Sequence, residues 1–151
     1  MGTLHDKLKK IGAKGLEKAI NLIESGKVIA EKQDESLVTF VKPISKEQEV
    51  IDWSDTKENI YNKIRGLNPF PGALSYYDDQ IIKVYLSEKI DKEYDGEYGE
   101  VVEIINKKGP VVKVKNGGII LKEVKFQGKK SQSGIDIING RKIILNRKFG
   151  K

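Results

Sequence analysis

Apolar residues recur at three- and four-residue steps near the start of the chain. Leu4, Leu8, Ile11, Leu16, Ala19, Ile20 and Ile23 mark one face of a helix over residues 4–25. Gly2 or Thr3 is placed to begin it and Gly26 to end it. Gly12 and Gly15 each weaken a helix by about 0.5–1 kcal/mol relative to Ala, so a break near Gly12 is allowed. Residues 28–44 read as extended and strand-like, with Thr39 and Val41 alternating around Phe40, and Pro43 closing the run. That stretch lacks the Gly/Ser enrichment of a flexible tether and reads as a linker lying along a surface. A second helix over 54–66 presents Ile60, Ile64 and Leu67 on one stripe. Asp55 and Glu58 stand at capping-box spacing with Ser54 as a rival cap, and Gly66 and Pro69 end the helix.

From Ala73 onward the period changes to two. Strands are predicted at 73–77, 81–87, 100–105, 110–115 and 118–126, with Ile82, Val84, Leu86, Val102, Ile104, Val112 and Val114 pointing inward. Asp78-Asp79, Lys107-Lys108-Gly109 and Asn116-Gly117-Gly118 supply the turns. Ser133 caps a short helix over 134–139 that ends at Gly140, and Ile143-Ile144-Leu145 offers one more strand in the tail. Short strands joined by tight hairpins fit a closed barrel better than an open sheet with long edges. The expected fold is therefore α+β and mainly β, a five- to six-stranded barrel of the oligonucleotide/oligosaccharide-binding (OB) type preceded by two helices.

Charge divides the chain unevenly. The net +6 conceals a segment, 67–106, with 3 basic and 9 acidic groups, followed by 107–151 with 13 basic and 2 acidic groups. A stretch at +11 attracts polyanions, and the acidic segment beside it argues against uniform compositional drift. No apolar run approaches the roughly 18 residues that span a bilayer, and the N-terminal lysines lead into no apolar signal segment. With no cysteine and one histidine, His5, the chain lacks the side chains for a disulfide scaffold, a thiolate metal site or a Ser-His-Asp triad. A cytoplasmic, non-catalytic module that binds no metal and no membrane is expected.

Several constellations remain. Asp52-Trp53 before the second helix pairs a carboxylate with an indole, and we read Trp53 as core with its N–H bonded locally. Pro69-Phe70-Pro71-Gly72 makes a stiff turn in which Gly72 meets a backbone requirement, and Arg65 just before it either pairs with Asp52 or binds a phosphate. The acids Asp78, Asp79, Glu97, Glu100 and Glu103 match no cation-loop spacing and read as a solvated face. The basic set carries the chemistry. Lys107 and Lys108 sit on a hairpin tip, Lys113 and Lys115 on one strand face, Lys129 and Lys130 in a loop, and Arg141, Lys142, Arg147 and Lys148 in the tail. Only Phe126 and Phe149 interleave with them, which disfavours serial base stacking and favours contacts to the phosphates of a folded RNA.

The ordered strings Leu4-His5-Asp6-Lys7-Leu8, Lys42-Pro43-Ile44-Ser45, Ile51-Asp52-Trp53, Ile64-Arg65-Gly66, Pro69-Phe70-Pro71-Gly72-Ala73, Gln127-Gly128-Lys129-Lys130 and Asp136-Ile137-Ile138-Asn139-Gly140 together resemble one family. The chain resembles the linker and C-terminal domain of methionyl-tRNA formyltransferase. It departs at Gly66 and Phe70, where that family commonly has Ala and Trp, and at Ser131-Gln132, where it often has an apolar residue. The resemblance implies that residues 1–33 are the exit helix and linker from an N-terminal catalytic domain, and 34–151 an OB-like domain that helps hold initiator tRNA. It implies that the formyl donor, 10-formyltetrahydrofolate, binds that other domain, so the chain has no catalytic residue or cofactor and is inactive alone. Rival readings are the equivalent domain of a sugar-nucleotide formyltransferase or a formyltetrahydrofolate hydrolase, or a standalone OB-like interaction module. Neither rival substrate gives a reason for the basic C-terminal third.

Overall fold

A computed structural model describes residues 2–150. They form two compact units, Gly2–Ile44 and a unit starting at Ser45. No helix among the described residues is long and apolar enough to cross a membrane.

The first unit holds helix α1 (Gly2–Glu24), which runs unbroken through Gly12 and Gly15. Gly26, at φ +67°, donates to the Ile23 carbonyl while Lys27 donates to Leu22, a Schellman stop that only a left-handed residue permits. Leu4, Leu8, Ile11 and Leu16 are all exposed on α1. The strand-like reading of 28–44 is corrected. Its only regular element is a one-turn 3₁₀ helix at Glu35–Leu37 capped by Asp34, and Phe40 and Val41 lie open to solvent. Alternation supplies β propensity, but a strand needs an edge to pair with, and no ladder forms here.

In the second unit α2 (Lys46–Glu49) was not anticipated; the Ser45 N–H donates to Gln48 Oε1 at 2.9 Å and starts it. Helix α3 (Lys57–Leu67) buries Ile60, Ile64 and Leu67 as expected. Its cap differs. Thr56 accepts from the Asn59 N–H, while Asp55 is taken by Thr56 N–H and Asn59 Nδ2, and Glu58 accepts from Asn116. Glu58 is thus committed to a tertiary contact rather than to its own helix start.

Six antiparallel strands follow: β1 (Ala73–Tyr77), β2 (Gln80–Ile90), β3 (Val101–Ile105), β4 (Gly109–Val114), β5 (Gly117–Phe126) and β6 (Gln132–Ser133). They run in the order β1-β2-β5-β4-β3, with β6 against β5. The β1–β2 turn places both Asp78 (φ +45°) and Asp79 (φ +59°) in the left-handed region, the signature of a hairpin turn that matches strand twist. Two inward assignments fail. Leu86 is exposed because register shifts flank it in β2, and Val101 rather than Val102 is fully buried because β3 slips against β4. Helix α4 (Gly134–Asn139) follows β6 with the reciprocal Ser133/Asp136 capping box.

The tail closes the sheet. Ile143 is buried, but the expected strand at 143–145 does not form; the pairing falls on residues 146–150. On one side Asn146 N–H donates to Val101 O, Val101 N–H to Arg147 O and Phe149 N–H to Gly99 O. On the other, Gly150 N–H donates to Tyr76 O, so one short segment joins the β3 end of the sheet to β1. Phe149 drops its ring into the core against Trp53 and Tyr77.

Candidate nucleic-acid interface

The ten expected basic positions fall into separate groups on the second unit. Lys107 (φ +60°) and Lys108 form the β3–β4 turn. Lys108 is neutralised there by Glu88 at 2.8 Å, and that lysine holds the Glu88 carboxyl below the usual carboxylate range. Lys113 on β4 is half-buried with its ammonium 5.9 Å from the centre of the Tyr98 ring. Lys148 pairs with Glu97 at 2.6 Å. Lys113 and Lys148 line one cavity of about 700 Å³ with Asp52, Trp53 and Phe149. Lys115 lies beyond the end of β4, exposed in the turn that leads into β5, so it does not extend the strand face of Lys113.

Three of the remaining residues, Lys129, Lys142 and Arg147, meet at the β1–β2 turn. Lys129 and Lys142 line a cleft of about 160 Å³ with Tyr77, Asp78 and Gln80. The Arg147 guanidinium lies 3.9 Å from the Asp78 carboxylate of that cleft. Lys142 is aimed by its bond to Gln132 Oε1 at 2.7 Å. Lys130 is chain neighbour to Lys129, and Arg141 (φ +48°) to Lys142, and both are exposed. Lys129, Lys130 and Arg141 make no ion pair among the described residues. The loop after β5 and the segment after α4 thus bring Lys129, Lys142 and Arg147 to one turn.

The residues read as structural are positioned by packing. Trp53 is buried, with Nε1 donating to Ser75 Oγ. Asp52 accepts from the Ser54 hydroxyl and N–H, which hold its carboxyl below the usual range. Arg65 donates through Nε to Asn62 and lies 6.0 Å from the Tyr61 ring. Both bonds before Pro69 and Pro71 are cis, and Gly72 (φ +87°) donates to Leu67 O. A Cβ on Gly72 would meet the Tyr85 ring at 2.9 Å, which accounts for glycine there. Of the acidic positions, Glu103 accepts from Lys92 and Tyr94 and Glu100 from the Glu97 N–H, while Asp78, Asp79 and Glu97 are exposed as expected.

Three exposed or half-buried residues escaped the sequence reading. Phe126 and Phe149, the aromatics expected among the lysines, are core. Phe70 is instead 80% exposed, beside Lys83 and Lys125, which stand directly opposite each other on β2 and β5. The two flanking prolines were the available signal for Phe70; the lysine pairing depends on register, which one strand's sequence does not reveal.

Residues 43–142 match the family of the formyl transferase C-terminal domain. The chain belongs to that family. It is 48% identical over 148 residues to the methionyl-tRNA formyltransferase of Fusobacterium nucleatum, covering 97% of this chain and 48% of that protein. It is 41% identical over 141 residues to the methionyl-tRNA formyltransferase of Bacillus subtilis, covering 93% of this chain and 44% of the relative. The chain therefore spans about half the length of these curated relatives, and corresponds to their C-terminal part. Among solved structures, a variant of HypX from Aquifex aeolicus superposes with a TM-score of 0.68 at 16% identity, over 83% of this chain and 22% of that one. HypX in complex with tetrahydrofolic acid gives 0.66 at 17%, over 82% of this chain and 22% of that chain. At such identity the likeness is one of fold. The tail that closes the sheet lies just beyond the matched residues and also carries Arg147 and Lys148.

Proposed function

We propose that this chain is the RNA-holding part of a methionyl-tRNA formyltransferase and positions initiator tRNA for formylation early in translation, in the cytoplasm. The carrying observation is the gathering of Lys129, Lys142 and Arg147 around the β1–β2 turn, with Lys130 and Arg141 exposed beside them in the chain, in a domain whose basic excess lies in its last 45 residues. Cations without an internal carboxylate are free to neutralise phosphates, and each such contact releases condensed counterions. Phosphate contacts fix the register and orientation of an RNA rather than reading its sequence. That is the task of a domain that presents a substrate to a catalytic centre elsewhere.

In this reading the formyl donor, 10-formyltetrahydrofolate, and the catalytic groups belong to the N-terminal part of the full-length protein. The residues here hold the RNA and move no proton. The exposed apolar face of α1 docks on that N-terminal part. Amide chemical-shift mapping with initiator tRNA tests the proposal. The account expects the largest changes at residues 128–131 and 141–142, with smaller ones at Lys108 and Lys148, whose charges are already met by Glu88 and Glu97. Changes confined to the acidic segment 91–103 would overturn it.

A further inference from the structure

Phe70 is the feature that the proposed function leaves unused. An aromatic side chain gains most from burial, and the neighbouring phenylalanines of this unit, Phe126 and Phe149, take that gain. Phe70 forgoes it, standing 80% exposed between Pro69 and Pro71, whose rings fix the backbone that carries it. Beside it lies a groove of about 330 Å³ that includes Tyr85, Lys83, Lys125 and Gln127. The ring is thus presented on a stiff support at the rim of a cavity.

The charge in this groove is unbalanced. Lys83 and Lys125 face each other directly across β2 and β5, an arrangement of like charges that is unfavourable by itself. Lys83 is compensated by Glu49 at 3.7 Å and by the Pro71 carbonyl that accepts from its ammonium. Lys125 is exposed and has no ion pair among the described residues. An anion therefore has one available partner, a few side chains away from an open aromatic face.

We propose that this groove takes an unpaired nucleotide, with its base on the Phe70 ring and its phosphate at Lys125; the assignment of that nucleotide to a tRNA rests on the function proposed above. The groove volume lies at the small end of ligand sites, the scale of one nucleotide rather than a duplex. Stacking on an aromatic face tolerates any base, and unpaired RNA bases are the ones free to be stacked. Lys125 gives the nucleotide its phosphate end, and the Gln127 amide is placed to meet a base edge. One such platform is compatible with a domain that otherwise holds its RNA by phosphates.

The test uses the full chain and three labelled probes: initiator tRNA, a blunt RNA hairpin, and the same hairpin with a four-nucleotide single-stranded 3′ overhang. The overhang is expected to tighten binding by about 5- to 100-fold, the range of one stacked base. Phe70→Ala is expected to erase that gain while leaving the blunt hairpin's affinity and the melting temperature unchanged. Phe70→Trp should keep the gain and show indole quenching on addition of the overhang probe, and Lys125→Ala should reduce the gain. An overhang that adds nothing, or a gain that survives Phe70→Ala, overturns the proposal. Loss of both hairpins' binding on Phe70→Ala also overturns it, since that marks a general contact. If tRNA fails to bind and the overhang gain still depends on Phe70, the tRNA reading falls and the nucleotide groove stands. If tRNA binds and Phe70→Ala changes nothing, the groove falls alone.

Discussion

The indole Nε1 of Trp53 donates to the Oγ of Ser75 at 2.9 Å, and Ser75 is itself buried among the core strands. The bond ties the segment before α3 to the middle of β1, and the same indole ring rests 5.3 Å from Phe149 of the closing tail. Removing the ring and removing its acceptor should therefore have different consequences. Trp53→Ala is expected to cost about 3–5 kcal/mol and Ser75→Ala about 1–3 kcal/mol, the latter by leaving a buried N–H unpaired. Chemical denaturation of both variants checks this. Equal losses would show that the hydrogen bond, not the packing, dominates at this position.

Barrel closure rests on a glycine. Gly99 has φ +86°, donates to Lys113 O, and accepts from Phe149 N–H; a Cβ there would lie 2.5 Å from the Phe149 carbonyl oxygen. Gly99→Ala is expected to destabilise by at least about 1–2 kcal/mol from the backbone conformation alone. Hydrogen exchange should show the Phe149 and Gly150 amides losing protection before those of β5. Intact protection in the tail would contradict the closing role assigned to it.

Charge compensation predicts which lysines matter for RNA. Lys129→Ala/Lys130→Ala should lower the salt slope of tRNA binding by about 1–2, since each lost phosphate contact removes roughly 0.9 or less. Lys108→Ala should change the slope by less than either, because Glu88 already neutralises that ammonium. Slopes measured from 50 to 250 mM salt decide the order, and a larger effect at Lys108 would sink this ranking.

Several carboxyls are held below their usual range in the folded chain: Asp52 by Ser54, Asp55 by Asn59, Glu58 by Asn116, and Asp136 by Ser133. Each binds protons less readily folded than unfolded, so its stabilising contribution is complete above the unfolded carboxylate range of about 4. The contribution is lost as pH falls through the lower folded values. Melting temperature should be flat from pH 7 to 5 and fall below about pH 4, with a shallower acid limb in Asp136→Asn. An acid limb unchanged by that variant would remove the α4 capping box from the explanation.

Much of the fold was legible because local pattern and tertiary role agree. The stripe Ile60, Ile64 and Leu67 is buried, Ser133 caps α4, and the period-two run from Ala73 gives five of the six strands. What sequence missed depends on register or on distant partners. Leu86 reads as inward until bulges in β2 turn it outward, and Glu58 reads as a helix cap until Asn116 claims it. Tail pairing fell on Arg147 and Phe149 rather than on the more apolar Ile143-Ile144-Leu145, with Val101 N–H donating to Arg147 O and Phe149 N–H to Gly99 O, where Gly99 permits the close approach. For the basic surface, sequence located the charges but could not separate Lys108, paired to Glu88, from Lys129 and Lys130, which are unpaired among the described residues. Phe70 shows the same limit: a turn between prolines does not say which way its aromatic ring faces.

The central claim is that this domain holds tRNA through its basic C-terminal face. Fluorescence anisotropy of labelled initiator tRNA against the full chain, at low and then physiological salt with an RNA duplex of equal length as competitor, tests it most directly. The account predicts saturable binding with a steep salt slope and a preference for tRNA over the duplex. Absence of binding at low salt, or equal competition by the duplex, would contradict it.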